Sequence, residues 1–191
     1  MQIIDNITNT LKDDLQVTLK RGSKVAIAAA CFSIYAYKEL KKQLENIDEL
    51  RFIFTSPTFT TEKASKAQRE FYIPRISRES SLYGTEFEVK LRNELTQKAI
   101  AKECADWIRR KVTFKSNVTQ EQMIGFMAVD QTAYMPINGF STVDLGCERG
   151  NNAYYPVQKT ENYENSGYFI KLFEQLWNDK KRLQEVTDIV I

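Results

Sequence analysis

The run from Lys24 to Phe32, Lys-Val-Ala-Ile-Ala-Ala-Ala-Cys-Phe, constrains the fold more than any other stretch of the chain. After its opening lysine it is apolar at every position, so it has no polar face to turn toward water. A strand of that kind sits inside a sheet covered by helices on each side. Its neighbours fit. Ile4, Ile7, Leu11, Leu15 and Leu19 recur at spacings of three and four, which predicts an amphipathic helix over 5–20, ended by Gly22. Ser33 is placed to cap a second helix that turns Tyr37, Leu40 and Leu44 inward and Lys38, Lys41 and Lys42 outward. Leu50 to Thr55 reads as a further strand, stopped by Pro57. Helix–strand–helix–strand is the alternation of an α/β domain.

Beyond Pro57 the pattern loosens. Lys63, Lys66, Arg69, Arg75 and Arg78 are interleaved with Phe71 and Tyr72 and offset by Glu62, Glu70 and Glu79. Such a stretch can follow a phosphate backbone while its rings stack on bases, and its plainer reading is a solvated, mixed-charge surface. Periodicity returns over 86–110, with Leu91, Leu95, Ala99 and Ile108 on an apolar face. Lys111 to Lys115 then alternates like a half-buried strand.

Met123 to Asp130 reads as a short buried strand closed by an acid, with Thr132 to Ile137 as its hairpin partner. Gly139 and Gly146 open a loop carrying a helical turn, and Ala153 to Val157 suggests another strand. Tyr168, Phe169, Leu172, Phe173, Leu176 and Trp177 form an apolar helical face, read as core, with a partner surface as the other reading. Leu183, Val186 and Ile189 continue the helical period. A chain stopping on Ile189-Val190-Ile191 is expected to be the N-terminal piece of a longer protein. No linker or repeat divides it, so 1–191 is expected to be one domain.

Composition excludes whole classes of chemistry. There is no histidine among 191 residues, hence no Ser-His-Asp triad, no histidine zinc site and no phosphohistidine intermediate. The glycine-rich phosphate loops are absent from the sequence. A net charge of +2 creates no whole-molecule field, so any anion site is local. Arg109-Arg110-Lys111 suits a helix C-terminus, and Lys180-Lys181-Arg182 suits the start of a final helix. Cys31, Cys104 and Cys147 are odd in number and lack metal-ligand spacing, which predicts reduced thiols and a cytoplasmic protein. No apolar run approaches the roughly 20 residues of a membrane span. Glu86 and Glu88 with Asp130 are read as solvated carboxylates rather than a metal site.

The spacing from Met123 to Asp130 resembles the His-x-Lys-x-x-x-x-Asp signature of the phospholipase D superfamily, with Met123 and Gly125 in the histidine and lysine places and Asp130 kept. Gly139-Phe140-Ser141-Thr142 resembles that family's Gly-Ser-x-Asn element, with Phe140 at the serine and Thr142 at the asparagine. With the order of elements around them, these segments are similar to the phospholipase D-like domain at the N-terminus of bacterial Swi/Snf-type superfamily 2 DNA helicases. The resemblance implies a mixed β-sheet flanked by helices on both faces, followed by an ATP-driven motor. The family mechanism joins two His-Lys pairs, one imidazole attacking phosphorus while the other protonates the leaving oxygen. Here both members are replaced, so the resemblance implies a non-catalytic accessory domain that contacts DNA, self-associates as a homodimer, or docks on the motor. It needs no cofactor itself, whereas the motor would use ATP and Mg. The other readings are a phosphodiesterase or nuclease built around Asp130 and Thr142, and a pure protein-interaction module.

Overall fold

In the computed structural model, residues 1–57, 96–150 and 152–191 are described. Strand β2, Lys24–Ala29, lies inside an eight-stranded sheet and is buried from Val25 to its end. Its companions are β1 (Gln2–Ile4), β3 (Glu49–Phe54), β4 (Val112–Asn117), β5 (Phe126–Val129), β6 (Thr132–Met135), β7 (Val157–Thr160) and β8 (Leu183–Glu185). The spatial order is β1-β7-β6-β5-β2-β3-β4-β8. Strands β2, β3 and β4 run parallel, and every other pairing is antiparallel, so the sheet is mixed.

The helices described are α1 (Leu11–Thr18), α2 (Ile34–Leu44), α3 (Thr96–Lys111), α4 (Tyr163–Trp177) and α5 (Thr187–Val190). Alternate residues of each strand point to opposite faces, and the two faces pack differently. On one, Val25, Ile27, Phe52, Phe54, Phe114 and Met127 meet Leu11 and Leu15 of α1, Leu40 and Leu44 of α2, and Trp107 of α3. Phe32 joins this face, edge-on to Phe52 and Phe114 at 5.6 and 5.2 Å. On the other, Ala26, Ala28, Ile53, Phe126 and Ala128 meet Phe173 and Leu176 of α4. The guanidinium of Arg51, from β3, lies over the rings of Phe173 and Trp177 at 5.1 and 5.5 Å and pairs with Glu174. The Lys115 ammonium sits 4.4 Å from the Trp177 ring centre, a second cation–π contact docking α4.

The α/β alternation, the buried β2 strand and the Ser33 cap appear as the sequence implies, with Ser33 Oγ accepting from the Tyr35 N–H at 3.1 Å. Several boundaries differ. The first helix begins at Leu11 because the Asp5 carboxylate accepts the N–H groups of Ile7, Thr8 and Asn9, which ties 5–9 into a turn. Those bonds hold the Asp5 carboxyl well below the usual range, the Ile7 N–H contributing most. Ile4 therefore belongs to β1, and Ile7 is exposed. Ala99 also faces water, and the apolar stripe of α3 is carried by Cys104, Trp107 and Ile108.

The Met123–Asp130 strand starts only at Phe126, and the expected Ala153–Val157 strand is β7, shifted to 157–160. Leu183 to Glu185 is a strand rather than helix, because it pairs antiparallel with the edge of β4, and only four residues after Val186 are helical. The three cysteines form no disulfide among the described residues. Among those residues no helix is long and apolar enough to cross a membrane.

Candidate functional site

The parallel strands β2, β3 and β4 end together at what is here termed the carboxyl edge, and ligands of open α/β sheets bind beyond such an edge. Two segments from the sequence pattern arrive there. One is Met123-Ile124-Gly125, leading into β5; the other is Asn138 to Gly146, after β6. The second runs parallel to the end of β2: Ala30 N–H donates to Asn138 O at 2.8 Å, Phe140 N–H to Cys31 O at 2.8 Å, and Ser33 N–H to Phe140 O at 2.9 Å.

Gly125, in the lysine place, leaves no room for a side chain. A Cβ built there would stand 1.6 Å from the carbonyl oxygen of Ile137, whose own N–H donates to Gly125 O at 2.9 Å. A main-chain oxygen held by its neighbours cannot swing aside as a side chain would. Met123, in the histidine place, is half-buried and packs against the apolar cluster that contains Phe126 and Phe173.

Gly139 is crowded by side chains instead: a Cβ there would approach Cys31 Sγ to 2.5 Å and Asp144 Oδ2 to 2.7 Å. Ser141 and Asp144 are buried, 2% and 5% exposed, so neither faces a solvent-borne substrate. Ser141 Oγ donates to Asp144 Oδ2 at 2.5 Å and accepts the Asp144 N–H at 3.3 Å. The Tyr155 hydroxyl donates to the other Asp144 oxygen and accepts the Asn138 N–H at 3.2 Å. Burial, reinforced by the Asp144 carboxylate, pushes the Tyr155 hydroxyl far above its ordinary range, so it acts as a fixed donor. Thr142 Oγ1 donates to Glu148 at 3.1 Å. These side-chain bonds hold Asn138, Ser141, Asp144 and Tyr155 to one another, and main-chain bonds from Asn138 and Phe140 tie them to the end of β2.

Asp130 lies at the opposite, amino edge. Its φ of 51° places it in the tight turn between β5 and β6, where it accepts from Ser23 Oγ at 2.9 Å and from the Lys24 N–H at 3.0 Å. The four residues of β5 separate Gly125 from Asp130, five steps along the strand or about 17 Å. The structure thus brings Met123, Gly125, Gly139, Ser141 and Thr142 to one edge and leaves Asp130 at the other.

The cations Lys63, Lys66, Arg69, Arg75 and Arg78, with Glu86 and Glu88, lie outside the described residues. Among the described residues no group of three acidic, cysteine or histidine side chains could hold a metal. Sequence reasoning misses Asp144 and Tyr155, although Ser141-Thr-Val-Asp144 has the Ser-x-x-acid spacing of a capping box.

It also misses a second buried cluster near the amino edge. There Lys159 Nζ is 3.0 Å from Asp14 and 3.2 Å from Glu161, while the Tyr134 hydroxyl donates to Asp14 at 2.5 Å. Burial alone would lower the Lys159 ammonium; its bonds to Asp14 and Glu161 outweigh this and raise it.

These features define an α/β fold with a mixed sheet, in which the space beside Gly125 at the carboxyl edge is filled by the Ile137 carbonyl. No protein-family model matches the chain, and no curated protein matches it. Among solved structures it is similar to TrmBL2, an archaeal chromatin protein whose structure shows a novel mode of DNA binding. That likeness has a TM-score of 0.47 at 10% identity and covers 97% of this chain. The chain spans about half of that protein, 53% of its length. A TM-score below 0.5 assigns neither fold nor role to this chain.

Proposed function

We propose that this chain is a non-catalytic phospholipase D-like accessory domain of a DNA helicase or translocase, contributing DNA contact, self-association or docking to an ATP-driven motor. The observation that carries the non-catalytic part is the Ile137 carbonyl at the Gly125 Cβ position, which occupies the space a phosphate-binding lysine would need. The resemblance of Met123–Asp130 and Gly139–Thr142 to degenerate phosphodiesterase elements supports the family, and the helicase context rests on that resemblance. ATP and Mg would be held by the motor, and the basic segment Lys63, Lys66, Arg69, Arg75 and Arg78 is a further proposed DNA contact.

A nuclease centred on Asp130 and Thr142 is disfavoured because those residues stand at opposite edges of the sheet. A protein-interaction module acting through 168–177 has to do without Phe173 and Leu176, which are buried against the sheet. The test is a labelled duplex titrated at several salt concentrations, with sedimentation and a metal-supplemented cleavage assay alongside. Salt-sensitive binding or a stable dimer, without cleavage, is expected. A strict monomer that ignores DNA at low salt sinks the reading, and cleavage abolished by Asp130→Ala replaces it with the nuclease.

A further inference from the structure

We infer that the DNA contact of this domain includes its amino edge, through the cationic turn between α1 and β2 carrying Lys20, Arg21 and Lys24. This rests on the reading that the chain contacts DNA, and it places a contact on the edge opposite Met123, Gly125 and the 138–146 segment. All three side chains are exposed, and none enters an ion pair among the described residues. That separates them from other exposed cations of the α1–α3 face. Lys41 pairs with Glu103 at 2.7 Å, Arg109 with Asp106 at 2.8 Å, and Arg110 with Glu45 at 2.9 Å.

A helix terminus does not account for the turn either. The macrodipole acts within the last turn of a helix, and α1 ends at Thr18 with no basic residue in its last turn. Acids lie near the turn: Asp130 accepts from Ser23 Oγ and the Lys24 main-chain N–H, Glu49 is the register partner of Lys24 on β3, and Glu161 lines the same recess as Lys20. None of these forms an ion pair with the three cations among the described residues. The turn itself is firmly held. Ser23 is buried and its hydroxyl accepts the Lys20 N–H at 2.9 Å, while Gly22 N–H donates to Asn46 O and Asp48 N–H to Ser23 O. Three cations on a rigid turn can meet a phosphate backbone with little ordering cost. Asp48, on the adjoining turn, restricts the stretch to a few successive phosphates. Such contacts carry no base information, so the expected partner is duplex DNA of any sequence.

The experiment compares the full chain with the triple variant Lys20→Gln, Arg21→Gln, Lys24→Gln by fluorescence anisotropy on a labelled duplex across a salt series. Thermal melting of both proteins verifies that the variant is folded, as expected for three exposed positions. The variant should bind more weakly on two unrelated duplex sequences alike. The slope of log affinity against log salt should fall by about three, one for each phosphate that is no longer neutralised. Wild-type protein that binds while the variant matches it in affinity and slope overturns the amino-edge contact alone. Failure of the wild type to bind DNA at low salt overturns the DNA-contact reading and this inference together. Arg21→Lys alone, which keeps all three charges, should bind as the wild type does; a loss as large as the triple variant's overturns the reading that charge carries the contact.

Discussion

The two ends of β5 meet the rest of the chain in opposite ways. At the carboxyl edge, Gly125 is pressed against the Ile137 carbonyl, and the 138–155 loop is pinned by the Ser141–Asp144–Tyr155 bonds. At the amino edge, Asp130 sits in an exposed turn beside an open recess of about 390 Å³ lined by Lys20, Thr132, Lys159 and Glu161. The end that carries Met123 and Gly125 is filled with structure, and the end that carries Asp130 is open. Positions five residues apart on one strand therefore meet different surroundings, and an acid at one end says little about chemistry at the other. Asp130 serves the turn, which needs a residue tolerant of positive φ and able to accept a hydrogen bond.

The comparison breaks most directly at Gly125. Gly125→Ala forces the Ile137 main chain to move and should cost about 3 kcal/mol, the upper range for overpacking, read as a large fall in melting temperature. Gly125→Lys with Met123→His should be worse and should gain no phosphodiesterase activity. A double variant that melts like wild type would mean the carboxyl edge is open after all.

At the amino edge the largest effect is expected from the Asp14–Lys159 pair, whose side chains are only 16% and 10% exposed. Lys159→Met leaves Asp14 part-buried with the Tyr134 hydroxyl but without the Lys159 ammonium. Breaking a buried pair from one side costs about 3 kcal/mol. Asp14→Asn with Lys159→Met should cost less than the two single losses added, since neither variant then strands a charge. The pH dependence has a definite sign. The folded Lys159 ammonium is raised above its unfolded value of about 10.4. Its contribution is therefore fully present below that pH and lost as pH rises through the folded value. Wild type should lose more stability than Lys159→Met on going from pH 9 to above pH 11. Parallel melting curves for the two proteins over that window would contradict the assignment.

Tyr155→Phe sharpens the comparison at smaller cost. It removes one of the hydrogen bonds to buried Asp144 and should cost about 1 to 2 kcal/mol. It should also raise hydrogen exchange at the Asn138 amide, which donates to that hydroxyl. Unchanged exchange at Asn138 would show that the loop is held by other contacts.

The strands and helices legible in the sequence are those whose burial is written in local periodicity. The unbroken apolar β2 run, the Ser33 cap and the inward Tyr37, Leu40 and Leu44 all follow from one stretch of chain. What is illegible depends on long-range partners. Leu183 to Glu185 keeps a helical spacing with Ile189, yet pairing with Ser116 and Asn117 makes it a strand. The Asp5 turn overrides the Ile4–Ile7 period with three local hydrogen bonds, and Thr10-Leu-Lys-Asp13 is the local sign of the true start, with Thr10 Oγ1 accepting the Asp13 N–H. The closure at Gly125 is invisible in the sequence, because the colliding carbonyl belongs to Ile137, twelve residues on.

The smallest effect is expected at Asp130. Asp130→Ala places a side chain poorly suited to positive φ at 51° and removes the acceptor for Ser23 Oγ and the Lys24 N–H. The residue is exposed and water can replace part of those bonds, so the expected cost is about 1 kcal/mol. Asp130→Asn keeps both the αL tolerance and one acceptor and should cost less than half of that. This ordering is diagnostic. A turn residue responds to backbone preference, with Ala worse than Asn, whereas a residue needed for its charge responds equally to both. Melting curves of the two variants, with duplex affinity measured on the same samples, separate the cases: equal losses of DNA binding in Ala and Asn would move Asp130 out of the turn and into a site.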